Sequence, residues 1–286
     1  MKTGAYRMGW LPDYPDFRDY TEETESVRML LPVRKQKTGR LPAKADLREW
    51  CSPIGNQGNL GSCTANAGAG LIEYYERKSF GRHLDVSRLF LYKVTRNLMK
   101  TGGDTGAFIR TTIGAMVLFG VPPEEYWNYT DDPKEFDAEP PAFCYAFAQN
   151  YQTILYLRHD APRASHETIL ANVKRFLAAG HPAMFGFTVY GSIEQASASG
   201  CIPFPADGEK IAGGHAVVAV GYDDTLKIKN RYGPETVGAL LIRNSWGAEW
   251  GGNGYGWLPY DYVLRELAMD FWSVLKKEWV DTAQFG

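Results

Sequence analysis

A cysteine, a histidine and an asparagine stand in sequence contexts typical of reactive side chains. Cys63 ends the turn-rich stretch CSPIGNQGNLGSC and begins a run of small and apolar residues that favours a helix. A cysteine in the first turn of a helix lies against the positive end of the helix dipole, which favours the nucleophilic thiolate. The unpaired N–H groups of that turn, together with the side-chain amide of Gln57, can bind a developing oxyanion. This segment therefore predicts nucleophilic thiol chemistry at Cys63.

The histidine and the asparagine lie at the ends of two apolar stretches. His215 opens HAVVAVGY after two glycines, and Asn244 ends VGALLIRN. Both stretches predict strands, joined by a loop at 223–236. If residues 222 and 237 pair in an antiparallel hairpin, His215 pairs with Asn244, whereas a slip of one residue turns Asn244 to the other face. Each motif alone is also consistent with a structural residue, but together they predict a Cys–His–Asn site.

The elements that must position these residues fall into two groups. Helical periodicity covers 63–77, 86–99 and 107–119 in the first half of the chain. The second half predicts a strand at 151–158, a helix at 166–179 and a strand at 183–190, before the two strands of the hairpin. Helices first and strands later indicate an α+β protein of two lobes with a cleft between them.

Composition excludes several classes of partner. The 31 basic and 33 acidic residues nearly cancel, which argues against nucleic acid or an anionic membrane as the main partner. The sequence contains no apolar run long enough for a membrane span. Its four cysteines form no CxxC pair, so neither a zinc site nor a disulfide scaffold is expected, and no metal or cofactor is implied. The first residues, MKTGAYRMGWLPDYPDF, lack the apolar stretch of a secretory signal, which leaves the compartment open: cytoplasmic or exported by another route.

The order Gln57, Cys63, His215, Asn244, in the motifs QGxxGSC, GHAxxxVGY and NSWGxxWGxxGY, resembles the papain-like cysteine peptidases. The resemblance covers about residues 41–265. It implies a two-lobed α+β fold, with a helical left lobe and an antiparallel β-barrel right lobe around the active-site cleft. The catalytic domain is expected at 41–286, with the helical lobe at about 41–145 and the β lobe at about 146–286.

The resemblance assigns a role to each matching residue. It implies that Cys63 is the nucleophile, His215 the general base and acid, and Asn244 the residue that orients the imidazole. Gln57 matches the oxyanion-hole glutamine, and Trp246 matches the indole that shields the histidine–asparagine hydrogen bond. An amide suffices as the orienting group because the attacking group is already a thiolate.

The same resemblance implies a substrate site. Its main pocket takes the side chain one residue before the scissile residue, and here the expected walls are small and uncharged. This predicts a wide apolar pocket without an acidic group, which accepts Leu, Phe or Tyr from protein or peptide substrates. A family glycine that binds the substrate backbone is expected at Gly106. The predicted substrate-binding residues are Gly106, Gly186, Gly214 and Ala216.

The sequence also departs from the family pattern. Leu60 replaces the usual cysteine before the nucleophile, and Thr64 replaces the usual tryptophan after it. The family disulfide at this point is therefore absent, which fits a bacterial, xylellain-like branch. Two alternatives stay open: acyl transfer through the same thioester, and a non-enzymatic binding protein that has kept the fold.

Residues 1–40 precede the mature-like start and are termed the extension. Prolines exclude a long helix there, and a basic run at 34–40 offers a cleavage region. We expect the extension to lie in the cleft as a blocking segment and make the enzyme latent; the alternative is an arm that only packs on a lobe. The side chains expected to fill apolar subsites are Trp10, Tyr14, Phe17 and Tyr20.

Overall fold

The computed structural model describes residues 7–30, 41–151 and 155–276, so the basic run 34–40 lies outside the described residues. Helices α1 to α7 span Glu25–Leu30, Cys63–Phe80, Arg88–Leu98, Ile109–Leu118, Ala142–Ala148, His166–Ala178 and Tyr260–Leu264. Strands β1 to β9 span Trp10–Leu11, Lys44–Asp46, Ala107–Phe108, Leu155–Arg158, Ala183–Tyr190, Ile211–Lys229, Glu235–Arg243, Tyr255–Pro259 and Ala268–Lys276. No helix within these ranges is long and apolar enough to cross a membrane.

Within the described residues, six strands from the second half of the chain and β2 from the first half form one antiparallel sheet. Their order is β4-β9-β5-β6-β7-β8, and β2 pairs with β6 beside that path. Helices α2 to α5 form the helical lobe, and the sheet with α6 and α7 forms the sheet lobe. The α+β prediction is thereby confirmed. A separate pair of short parallel strands, β1 and β3, joins the extension to the helical lobe.

Helix α2 is the buried centre of the helical lobe. A Cβ at Gly68 would lie 3.0 Å from the sulfur of Met116 on α4 and 3.1 Å from Leu91 on α3. A glycine inside a helix costs about 1 kcal/mol relative to alanine. The close approach of two neighbouring helices explains why a glycine stands there.

The hairpin of β6 and β7 is longer than predicted and is paired differently. The predicted loop at 223–236 is wrong, because the strands continue to Lys229 and restart at Glu235. Arg243 pairs with Val218, two residues from the partner that the predicted register requires. Side chains in a strand alternate with a period of two, so this even shift leaves Asn244 on the face that was predicted.

A buried ion pair joins the sheet lobe to α2. Nη2 of Arg243 donates to Ser52 Oγ at 2.7 Å and to the carbonyl of Pro53 at 2.8 Å, and it lies 3.5 Å from Oε2 of Glu73. A Cβ at Gly70 would lie only 2.5 Å from Nη1 of Arg243, so glycine lets the guanidinium cross the helix. Burial raises the pKa of Glu73, and the charge of Arg243 acts in the opposite direction.

We expect the Glu73→Ala substitution to lower the free energy of unfolding by about 3–5 kcal/mol, because it leaves the buried guanidinium of Arg243 without its counter-ion. Urea unfolding followed by tryptophan fluorescence measures the loss. The matched control is Glu49→Ala at an exposed glutamate, with an expected change within about 0.5 kcal/mol. Equal effects of the two substitutions would contradict a stabilising role for the pair.

Candidate active site

Cys63 is the first residue of α2 and is fully buried at the cleft. The hydroxyl of Ser62, directly before it, does not cap the helix; it lies 2.6 Å from the hydroxyl of Tyr129. The N–H groups of the first helical turn are therefore not taken by a side-chain cap. The thiol thus lies where the positive end of the helix dipole and free backbone donors meet.

His215 lies on β6 and is held by Asn244, the residue after β7. Nε2 of His215 is 2.8 Å from Oδ1 of Asn244, and the N–H of Ser245 donates to the same oxygen at 2.8 Å. A carboxamide oxygen only accepts, so Nε2 carries the proton and Nδ1 offers a lone pair. Nδ1 is buried and has no hydrogen-bond partner among the described residues. The indole of Trp246 stacks on the imidazole at 4.4 Å between ring centroids and covers the pair from solvent.

Gln57 is fixed at both ends of its side chain. Its Oε1 accepts from Ser245 Oγ at 2.6 Å, and its Nε2 donates to the carbonyl of Leu60 at 2.8 Å. Ser245, which binds both Asn244 and Gln57, was not among the residues predicted from the sequence. Its place directly after Asn244 in the NSWG motif was the available signal.

Residues 7–11, termed the cleft segment, run through the site. The carbonyl of Arg7 accepts from Nε2 of Gln57 at 3.1 Å, so the extension occupies a donor expected for the oxyanion. The carbonyl of Gly9 accepts from the N–H of Ala107 at 2.7 Å. Gly106 lies against the cleft segment, since a Cβ there would be 2.3 Å from the carbonyl oxygen of Gly9. The backbone donor is therefore Ala107, one residue beyond the predicted glycine.

Trp10 fills a pocket of the sheet lobe. A Cβ at Gly186 would lie 1.9 Å from the indole, and one at Gly214 would lie 2.9 Å from it. Ala216, the third predicted wall residue, pairs with Gly186 across the two strands. The indole N–H donates to Oδ2 of Asp270 at 3.2 Å. The expectation of a pocket without an acidic group is therefore wrong.

Asp270 is fully buried at the end of this pocket in a left-handed backbone conformation, with φ of 64°. Its Oδ1 accepts from the indole of Trp272 at 2.6 Å and lies 3.4 Å from Nη2 of Arg158. Burial raises the pKa of the Asp270 carboxyl to about 7, against the opposing effect of Arg158.

The other aromatic residues of the extension do not fill subsites. Tyr14 is 78% exposed and Phe17 is 91% exposed. Tyr20 stacks on Tyr156 of β4, with 5.8 Å between the ring centroids. The prediction that four aromatic side chains occupy the cleft is therefore wrong for three of them, and Trp10 alone does so.

The occupied cleft keeps the thiol and the imidazole neutral. Burial raises the pKa of Cys63 to about 11, although backbone hydrogen bonds from Ala216 and Gly9 act in the opposite direction. Burial also lowers the pKa of His215 to about 4, against the hydrogen bond with Asn244. The sequence predicted an activated thiolate, whereas both groups are fully buried here, and burial disfavours their charged forms.

The remaining cysteines take no part in this arrangement. Cys51, Cys144 and Cys201 are free thiols, and Cys201 is the partly exposed one. Within the described ranges, no group of three or more His, Cys, Asp or Glu side chains is placed to hold a metal ion.

The sequence is similar to known cysteine proteases. The family model described as papain family cysteine protease matches residues 41–266. A peptidase C1-like protein of Acanthamoeba polyphaga mimivirus is 37% identical over 286 residues, which cover 95% of this chain and 88% of the relative. Cathepsin K of Gallus gallus is 27% identical over 224 residues, which cover 76% of this chain and 59% of that protein.

Solved structures agree with the family match. Xylellain, a cysteine protease from Xylella fastidiosa, is 34% identical, with a TM-score of 0.75 over 94% of this chain and 96% of that one. The predicted resemblance and the two-lobed fold are thereby confirmed, while the bacterial origin stays a prediction because the relatives include a viral protein. This chain belongs to the papain family of cysteine proteases.

Proposed function

We propose that the chain is an endopeptidase in which Cys63, His215 and Asn244 act as nucleophile, acid–base and orienting residue. The observation that carries this proposal is the buried 2.8 Å hydrogen bond between His215 and Asn244, which leaves Nδ1 of the imidazole unpaired. The thiol at the start of α2 and the donor Nε2 of Gln57 complete the set of groups that acyl transfer requires.

The chemistry follows in two steps. Proton transfer from Cys63 to Nδ1 of His215 gives a thiolate, which attacks the scissile carbonyl carbon. The resulting oxyanion is bound by the N–H of Cys63 and by Nε2 of Gln57. The imidazolium then protonates the leaving amine as the C–N bond breaks, and a thioester remains. His215 next takes a proton from water, whose oxygen displaces the thiolate and releases the carboxylic acid.

The proposed substrates are proteins or peptides with a bulky apolar or aromatic residue before the scissile residue. The pocket around Gly186 and Gly214 accommodates a whole indole, which supports this preference. Asp270 can accept a hydrogen bond in the pocket, so it favours a substrate ring that carries an N–H donor. Arg158 lies beside the carboxyl, so its positive charge reduces the attraction of that pocket for a cationic side chain.

The cleft segment is proposed to hold the enzyme latent. In a substrate the pocket residue precedes the scissile residue, whereas in the cleft segment Trp10 follows the residues that lie at Cys63 and Gln57. The segment thus runs in the opposite direction and covers the reactive groups without presenting a cleavable bond. The backbone of Tyr20 binds Arg158 of β4, so the alternative arm-like packing describes the later part of the extension.

We expect Trp10→Gly to raise kcat/KM on a fluorogenic peptide amide by roughly 10- to 100-fold. Withdrawing the ring loses about 1.5–3 kcal/mol of burial, and each 1.4 kcal/mol changes an equilibrium tenfold. The matched control is Phe17→Gly, an exposed aromatic residue of the same extension. Latency through the cleft segment would be refuted by equal activity of the two variants and the unchanged chain.

In the Trp10→Gly background, Cys63→Ala is expected to abolish hydrolysis, because no other group can form the thioester. The control is Cys201→Ala, which removes a free thiol outside the site and is expected to retain full activity. Mass spectrometry of the products, with and without an added amine, separates hydrolysis from acyl transfer. Undiminished turnover in the Cys63→Ala variant would rule out the proposed mechanism.

The pH dependence of Cys63 alkylation should also differ between a cleft that the cleft segment fills and a cleft that it has left. Only the thiolate reacts, and its fraction falls tenfold for each pH unit below the pKa, which burial raises. We therefore expect alkylation of the unchanged protein by iodoacetamide to accelerate only at alkaline pH. In Trp10→Gly water re-enters, the pKa falls, and alkylation becomes rapid near neutrality. Rates from pH 5 to 10, corrected with Cys63→Ala, test this, and superimposable profiles would contradict it.

A further inference from the structure

Arg110 lies in the first turn of α4, directly beyond β3, the strand that pairs with the cleft segment. Its Nε lies 2.7 Å from Oδ2 of Asp13, and its Nη1 lies 2.8 Å from Oδ1 of Asp19. Its Nη2 donates to the carbonyl of Tyr14 at 2.7 Å. Among the described residues, every ion pair of Arg110 is made with the extension, the longest being 3.9 Å to Asp16.

The positive charge of the neighbouring Arg158 is balanced by carboxylates outside the extension. It is fully buried, and its Nε and Nη2 bind the two oxygens of Asp160 at 3.1 and 3.0 Å. Asp270 lies 3.4 Å from the same guanidinium. Both carboxylates belong to the protease body, so Arg158 keeps counter-ions when the extension leaves. Arg110 keeps no carboxylate partner among the described residues, and its guanidinium carbon lies 5.7 Å from the ring centroid of Trp272.

The place of Arg110 along the cleft follows from the chain direction. Asp13 stands three residues after Trp10, and an extended chain advances about 3.3 Å per residue, so its backbone lies about 10 Å beyond the pocket. A substrate that runs the other way passes the same surface with the residues that precede its pocket residue. The partly exposed Arg110 therefore faces the upstream part of a bound substrate.

The geometry points to Arg110 as an anion subsite of the enzyme once the extension has left the cleft. This subsite selects substrates with an acidic side chain two or three positions before the pocket residue. In the latent chain Asp13 and Asp19 occupy this subsite as internal ligands. A guanidinium on a partly desolvated surface binds a carboxylate by charge-assisted hydrogen bonds, which are stronger than neutral ones. The inference rests on the proposed function, because it concerns the substrate of that same cleft.

The test uses the full chain with Trp10→Gly, Asp13→Asn and Asp19→Asn. These substitutions remove the ring from the pocket and the two carboxylates that bind Arg110. Three pairs of fluorogenic peptide amides carry Trp at the pocket position and either Glu or Gln one, two or three positions before it. We expect Glu to be preferred over Gln by about five- to tenfold in kcat/KM, two or three positions before Trp, at low ionic strength. Addition of 0.5 M salt should reduce the ratio, since the ion pair is partly exposed.

Adding Arg110→Gln should bring the ratio to about one. Arg82→Gln should leave it unchanged, because Arg82 is exposed beyond the far end of α2, about 27 Å from Cys63. If the triple variant does not fold, Trp10→Gly alone serves as the background for the same comparison. Hydrolysis of Glu and Gln peptides at equal rates, or a preference that survives Arg110→Gln, overturns the subsite. Failure to hydrolyse any of the peptides overturns the proposed function instead.

Discussion

The contact between Arg243 and Glu73 joins the two elements that position Cys63 and Asn244. Glu73 lies on α2 about 15 Å along the axis from Cys63, and Arg243 directly precedes Asn244. A helix and a hydrogen-bonded strand are stiff, so fixing one point on each also fixes the ends that carry the reacting side chains. The glycine at 70 belongs to the same constraint, because any larger residue would push the guanidinium away from the helix.

Burial of the site has two consequences that act together. Cys63 and His215 are both fully buried, and this burial raises the pKa of the thiol and lowers the pKa of the imidazole, so it favours the neutral form of each. A thiolate–imidazolium pair needs a polar surrounding or water to offset its desolvation. In the proposed latent state, a segment that fills the cleft thus lowers the reactivity of Cys63 and His215 even where it does not touch them directly.

The sequence predicts the local parts of this structure well. The helix that begins at Cys63 depends on neighbouring residues, and so do the strands that carry His215 and Asn244. The hairpin register was two residues off, yet the face of Asn244 was right, because strand periodicity depends only on whether a shift is even or odd.

The contacts missed from the sequence are those between distant parts of the chain. Asp270 meets Trp10 across almost the whole sequence, and the stretch AMDFWSV around it shows only a strand pattern. Ala107 donates through its backbone, which no residue type reveals. Four aromatic residues of the extension looked equivalent, and only the fold distinguishes Trp10 from the exposed Tyr14 and Phe17.

The edge of β3 supplies a backbone contact to the cleft segment. The N–H of Ala107 points out of β3 and can donate to a carbonyl of a chain that runs in either direction, since parallel and antiparallel pairing use the same backbone donors. Direction matters only at Cys63, where a reversed chain does not present its carbonyl carbon to the thiol. In the proposed latent state, the extension uses the backbone and pocket contacts of a substrate while it avoids cleavage. In that proposal its side chains match the pocket through Trp10 and match Arg110 through Asp13 and Asp19.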